Sequence, residues 1–191
     1  VDIETTRRTI VINILIMIGI LTLIALGTLA RYQNNLLLSW ADYVVAAALV
    51  LSIIHLRATK QFKVTAYFGV GLMLLLFYYL LFTGGVNNSA HVWYFTFPLI
   101  ATFVLGAKEG LIATMILFIP ALLFFGIQNP PSMFTTYSMD FNLRFIPSFL
   151  VIAAFAYLFE STRERAQAKL TSVNTELKKT VSVLKETDDK L

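Results

Sequence analysis

The sequence predicts an all-α, polytopic membrane protein: a six-helix transmembrane bundle whose last helix continues into a cytoplasmic parallel coiled coil. Three observations predict it. Of the 191 residues, 58% are hydrophobic and 14% charged, with a mean hydropathy of +0.75, more apolar surface than one small soluble core hides. Six apolar runs are separated by short polar connectors. The sixth passes, without a Gly or Pro break, into a polar helix patterned in heptads. Backbone groups in hydrocarbon must be satisfied internally, and the runs lack the alternation of barrel strands, so they are read as helices.

The first run, Ile10 to Ala30, follows Arg7-Arg8. Its length of about 20 residues exceeds the roughly 7–15 of a signal-peptide core, so it reads as a retained span. The others are Leu36 to Leu56, Val64 to Phe82, and three shorter ones, His91 to Gly106, Leu111 to Ile127 and Phe145 to Phe159. Arg7, Arg8, Arg57, Lys60, Lys63, Lys108, Arg163 and Arg165 fall on one side of the spans, and Arg31 and Arg144 on the other. By the positive-inside rule both termini are cytoplasmic in a multi-pass protein of the cell inner membrane, and the connectors Arg31 to Asn35, Thr83 to Ala90 and Gln128 to Arg144 face outward. The expected domains are a six-span sensor, 1–159, and a cytoplasmic signalling helix, 160–191.

The formal charge of +4 does not imply nucleic acid as a partner, because the cations flank apolar runs instead of forming a stripe interleaved with base-stacking aromatics. The absence of cysteine excludes disulfides, thiolate metal sites and cysteine nucleophiles. Phosphate-cradle, dinucleotide, zincin and nucleophile-elbow motifs are also absent from the sequence, so no catalytic residue, metal or cofactor is expected in this chain. His55 and His91 fall on opposite faces, roughly 30 Å apart across the hydrocarbon, and so do not ligate one haem together. A metal held by His91 and Asp42 would fall short of the three or four protein ligands of zinc-type sites.

Asp42, about two turns into the second span, is the polar group that most demands an explanation, because a carboxylate in a bilayer needs a partner or a proton. An ion pair with Arg31 or Arg144 is the structural explanation. The functional one is an outward cup built from Asp42, Tyr78, Tyr79, Asn87, His91, Trp93, Tyr94 and Arg144, with Gly84-Gly85 shaping the connector. Such a cup would take a small-molecule or lipid-like ligand, although Trp93 and Tyr94 equally suit an interface girdle. Pro98, Pro120 and Pro147 lie within spans. They account for ordinary curvature, while Pro98 and Pro120 are also candidate hinges that flex when the outer site fills.

In the C-terminal segment Leu170, Leu177, Leu184 and Leu191 recur every seventh residue, with Ala166, Val173, Thr180 and Thr187 at the other seam position. This is the a/d spacing of a parallel homodimeric coiled coil, and Glu186 to Lys190 adds a favourable i,i+4 pair. Threonines in the seam make the interface marginal, so that a few kcal/mol of differential binding can shift it. The pattern is still running at Leu191, and an output domain is expected beyond it.

Phe82-Thr83-Gly84-Gly85 through Trp93-Tyr94-Phe95-Thr96-Phe97-Pro98, then Leu105-Gly106-Ala107-Lys108-Glu109-Gly110-Leu111, together with the helix from Glu160, resemble MASE-like N-terminal membrane sensor regions of bacterial signalling proteins. The resemblance implies a roughly six-span module that precedes a diguanylate cyclase, adenylate cyclase or histidine kinase domain, so the full-length protein would be an enzyme although this chain is not. Leu177-Lys178-Lys179-Thr180 and Leu184-Lys185-Glu186-Thr187 look like the helix leading into such a core. The alternative is a small proton-coupled transporter, motivated by Asp42 and the prolines, but the inverted repeat common in transporters is not evident.

Overall fold

Asn35 opens the second helix by accepting a hydrogen bond from the Leu38 N–H at 3.2 Å in a computed structural model described over residues 3–86, 89–127, 131 and 134–188. Helix α1 spans Ile3–Tyr32, α2 Leu36–Thr59 and α3 Phe62–Thr83. A short 3-10 helix, Ala90–Phe95, runs into α4, Thr96–Leu105; α5 is Ala107–Phe125 and α6 is Met139–Asp188. Lys60 closes α2 in the left-handed region, donating its N–H to the Leu56 carbonyl. Gly84, at φ 73°, does the same for α3, as helix C-termini require. Ser138 starts α6: its Oγ accepts from the Phe141 N–H at 3.2 Å.

Most of the described residues are helical and none is in a strand, an all-α polytopic bundle as the sequence predicts. Among the described residues five helices have the length and apolarity to cross a membrane, and a further apolar segment, Ala90–Leu105, is shorter. Its irregularity has a cause in the sequence. Pro98 occupies the third position of α4, a first-turn site where a backbone donor would lack an intrahelical partner anyway. It therefore sits in the first turn of α4, directly after the 3-10 helix. Pro120 and Pro147 do lie inside helices, α5 and α6.

Helix α1 packs on α2 and α2 on α3, while α4 sits centrally against α3, α5 and α6. Aromatic rings fill that centre. Phe97 and Phe149 are fully buried, Phe118 and Phe149 stack with centroids 4.8 Å apart and planes 2° from parallel, and Phe77 stacks on Tyr94 at 5.6 Å. Such pairs contribute about 0.5–1.5 kcal/mol each beyond the area they bury. Large apolar side chains such as Leu21, Leu123 and Phe155 point outward, as befits helices whose solvent is lipid.

Helix α6 is one uninterrupted element of 50 residues, about 75 Å long at 1.5 Å per residue. It leaves the bundle without a break between residues 159 and 165. Beyond it Leu170, Val173 and Leu177 are 71%, 54% and 60% exposed, and Ala166 and Thr180 are exposed on the same stretch. Leu191 and the side chain of Leu184, also expected in the seam, lie outside the described residues.

Candidate functional site

The bundle has a tight-turn face, at residues 60–61 and 106, and a loop face, at residues 33–35, 84–86, 89 and 134–138. Between α1–α2 on one side and α3–α4 on the other runs a cavity of about 600 Å³. Its lining extends from Ile12 and Thr65 towards the tight-turn face to Gln33 and Ser89 at the loop face. It exists because α1 packs on α2 and not on the aromatic centre, and because small residues such as Gly19 and Gly69 line it.

Asp42 lines this cavity and is 4% exposed. Close packing fixes its place, since a Cβ on Gly27 of α1 would lie 3.1 Å from the Asp42 Cβ. Arg31 and Arg144, the expected counterions, are exposed, and among the described residues Asp42 has no ion pair or hydrogen bond. Tyr79 lies within electrostatic reach of it. Trp93 lines the same cavity.

The other expected members of the cup are dispersed. Tyr94 is 1% exposed, and its hydroxyl donates to the Phe77 carbonyl at 2.8 Å. The His91 ring packs edge-on against Phe141 of α6, centroids 4.6 Å apart. Tyr78 faces α5 and donates to the Ile116 carbonyl. That acceptor is the one Pro120, four residues on, leaves free by lacking an N–H. Asn87 lies outside the described residues. Sequence reading passed over Gln33 and Thr22 as cavity residues, for each is an ordinary polar residue until α1 is placed across the cavity from α3.

The loop face is stitched shut by groups that take up free helix-end carbonyls. The Thr135 N–H donates to Phe82 O at 2.8 Å, and Tyr137 Oη donates to Leu81 O at 3.0 Å. Burial pushes the Tyr137 phenol up to about 12.

At the tight-turn face α6 is tied to the α4–α5 turn as it leaves the bundle. Gly106, at φ 97°, caps α5 but has no side chain to offer, and Glu164 of α6 supplies the acceptor, its Oε1 taking the Ala107 N–H at 3.2 Å. A carboxylate there also suits the positive end of the α5 dipole. Fully buried Glu160 pairs with Arg163 at 2.5 Å, and the Arg163 guanidinium lies 5.0 Å over the Phe103 ring of α4. Gly110 meets the α4 backbone so closely that a Cβ would sit 2.3 Å from Thr102 Cα. The sequence signal for this junction was the pair of glycines around Ala107-Lys108-Glu109, which marks a turn but not its partner.

Comparison with curated proteins and with solved structures finds no match for this chain. A family model, MASE6, matches residues 2–170, and so takes in the whole bundle and the first turns of α6 beyond it. MASE domains are membrane-associated sensor domains and are not themselves catalytic. With a helical, multi-pass bundle, a cavity holding a carboxylate and a long helix leaving its far end, the chain belongs to the MASE6 family.

Proposed function

We propose that this chain is the sensing and transmitting part of a homodimeric receptor of the cell inner membrane, with both termini cytoplasmic and six bilayer crossings. An extracytoplasmic or lipid-phase signal acts on the bundle at the cavity that holds Asp42 and Trp93. It passes along α6 to a C-terminal output domain, a diguanylate cyclase or other nucleotide cyclase, or a histidine kinase. The observation that carries this reading is the continuity of α6, a single helix from Met139 to Asp188 that is packed against α4 and α5 at one end and bears a bare heptad stripe at the other.

An apolar stripe at heptad spacing is stabilised by a second copy in parallel register, which removes it from water. The bonds from Glu164 to Ala107 and from Arg163 to Phe103 make α6 follow the α4–α5 turn. A small shift of that turn becomes a rotation of the paired helices, the kind of two-state movement that packed elements amplify. In the full-length protein, inserting seven residues after Lys169 keeps the heptad register, and inserting three or four breaks it. The reading predicts that signal-dependent nucleotide synthesis or phosphorylation survives the first insertion and is locked or lost in the second. Equal behaviour of both insertions would refute it.

A further inference from the structure

We infer that the cavity between α1–α2 and α3–α4 is a binding site for a single-chain membrane amphiphile whose head donates a hydrogen bond, a long-chain amine or alcohol, held by Asp42. The inference deepens the sensor reading and depends on it only for its biological meaning, because binding is measured on the chain itself. Failure to bind leaves transmission through α6 untouched, and failure of the insertion test leaves the site standing.

The shape points to one chain. From Ile12 to Ala30 the lining follows α1 for about 27 Å at 1.5 Å per residue, close to the hydrocarbon thickness of about 30 Å. A volume of about 600 Å³ drawn out over that length makes an elongated, mostly apolar slot, the shape that a polymethylene chain fills. Ile18, Leu29 and Trp93 line the cavity and are 55%, 51% and 37% exposed, so its wall is not sealed by the bundle. A ligand reaches it from the bilayer.

The head is specified by Asp42, six residues into α2 and so about 9 Å below its loop-face end. That depth leaves about 18 Å of cavity for a tail. A carboxylate nine-tenths buried, without a partner among the described residues, is stabilised by a cation or a donor and opposed by another anion. A fatty acid therefore fits the walls and not the head.

Gly69 provides a test that leaves the carboxylate in place. It lines the cavity, and a Cβ there meets nothing within 4 Å, so Gly69→Leu fills the space at a helical position that accepts Leu. The experiment measures the thermal unfolding of the detergent-solubilised chain titrated with hexadecylamine, hexadecanol, hexadecanoic acid or hexadecane at pH 8. Binding to the folded state raises the midpoint in proportion to affinity and concentration.

The expected result is a saturable rise with the amine and the alcohol and none with the acid or the alkane. Gly69→Leu abolishes the rise for both ligands. Asp42→Asn weakens the amine by about tenfold or more, since a charge-assisted bond is lost, and the alcohol much less, since an amide oxygen still accepts. A rise with the acid or alkane equal to that with the amine, no rise with either donor, or an undiminished rise in Gly69→Leu would overturn the inference.

Discussion

The Oε1 of Glu164 accepts the N–H of Ala107, 57 positions earlier in the sequence, at 3.2 Å. One side chain of the departing helix thereby serves as the N-cap of another. Gly106 permits this by turning the chain at φ 97° and leaving space beside it, for a Cβ there would lie 2.7 Å from Glu164 Oε1.

Removing that cap costs stability. Glu164→Ala is expected to destabilise the chain by about 0.5–2 kcal/mol, the usual loss on deleting an N-cap acceptor, and Glu164→Gln to retain most of it. Gly106→Ala adds backbone strain and the clash with Glu164, so it should exceed Glu164→Ala. Reversible unfolding in mixed micelles orders the three variants; an innocuous Gly106→Ala would contradict the junction geometry.

Gly110 and Gly71 form a matched pair. A Cβ at Gly110 meets the backbone of Thr102 and Ala101 at 2.3–2.7 Å, where no side-chain rotation relieves it, so Gly110→Ala should cost about 1–3 kcal/mol or more as overpacking. At Gly71 nothing lies within 4 Å, and Gly71→Ala should stabilise α3 by about 0.4–1 kcal/mol. The same unfolding measurement checks both, and similar effects at the two positions would show that α4 and α5 do not approach as described.

Tyr78 and Pro120 should be energetically coupled. Tyr78→Phe leaves the Ile116 carbonyl without the donor that Pro120 fails to supply, a loss of about 1–3 kcal/mol. With Pro120→Ala the helix restores its own bond, so the Tyr78→Phe penalty should shrink in the double variant. A double-mutant cycle measures the interaction, and strict additivity would show that the tyrosine bond does not stand in for the missing N–H.

Much of this fold was legible in the sequence because membranes restrict the options. Runs of about 20 apolar residues become helices, and the lack of Gly or Pro after Pro147 foretells the length of α6. The depth of Asp42 could be counted along α2. The pairing of its neighbours could not, because placing Tyr78 against Ile116, or Glu164 against Ala107, requires knowing that α3 meets α5 and that α6 passes the α4–α5 turn. Hydropathy also reads His91 to Gly106 as one span. It misses that Pro98 falls in a first helical turn, so that a 3-10 helix precedes α4. Tyr94 shows the same limit: an interfacial aromatic by composition, it is a core residue whose hydroxyl reaches the α3 backbone.

The central claim, that α6 carries the signal as one of two paired rods, is tested most directly by disulfide formation in native membranes. The chain has no cysteine, so single substitutions report without background. Leu170→Cys, Val173→Cys and Leu177→Cys should each give a crosslinked dimer under mild oxidation, and Thr175→Cys, at the outer heptad position, should give little. Absence of dimers at all three seam positions, or equal yields at Thr175, would contradict the account.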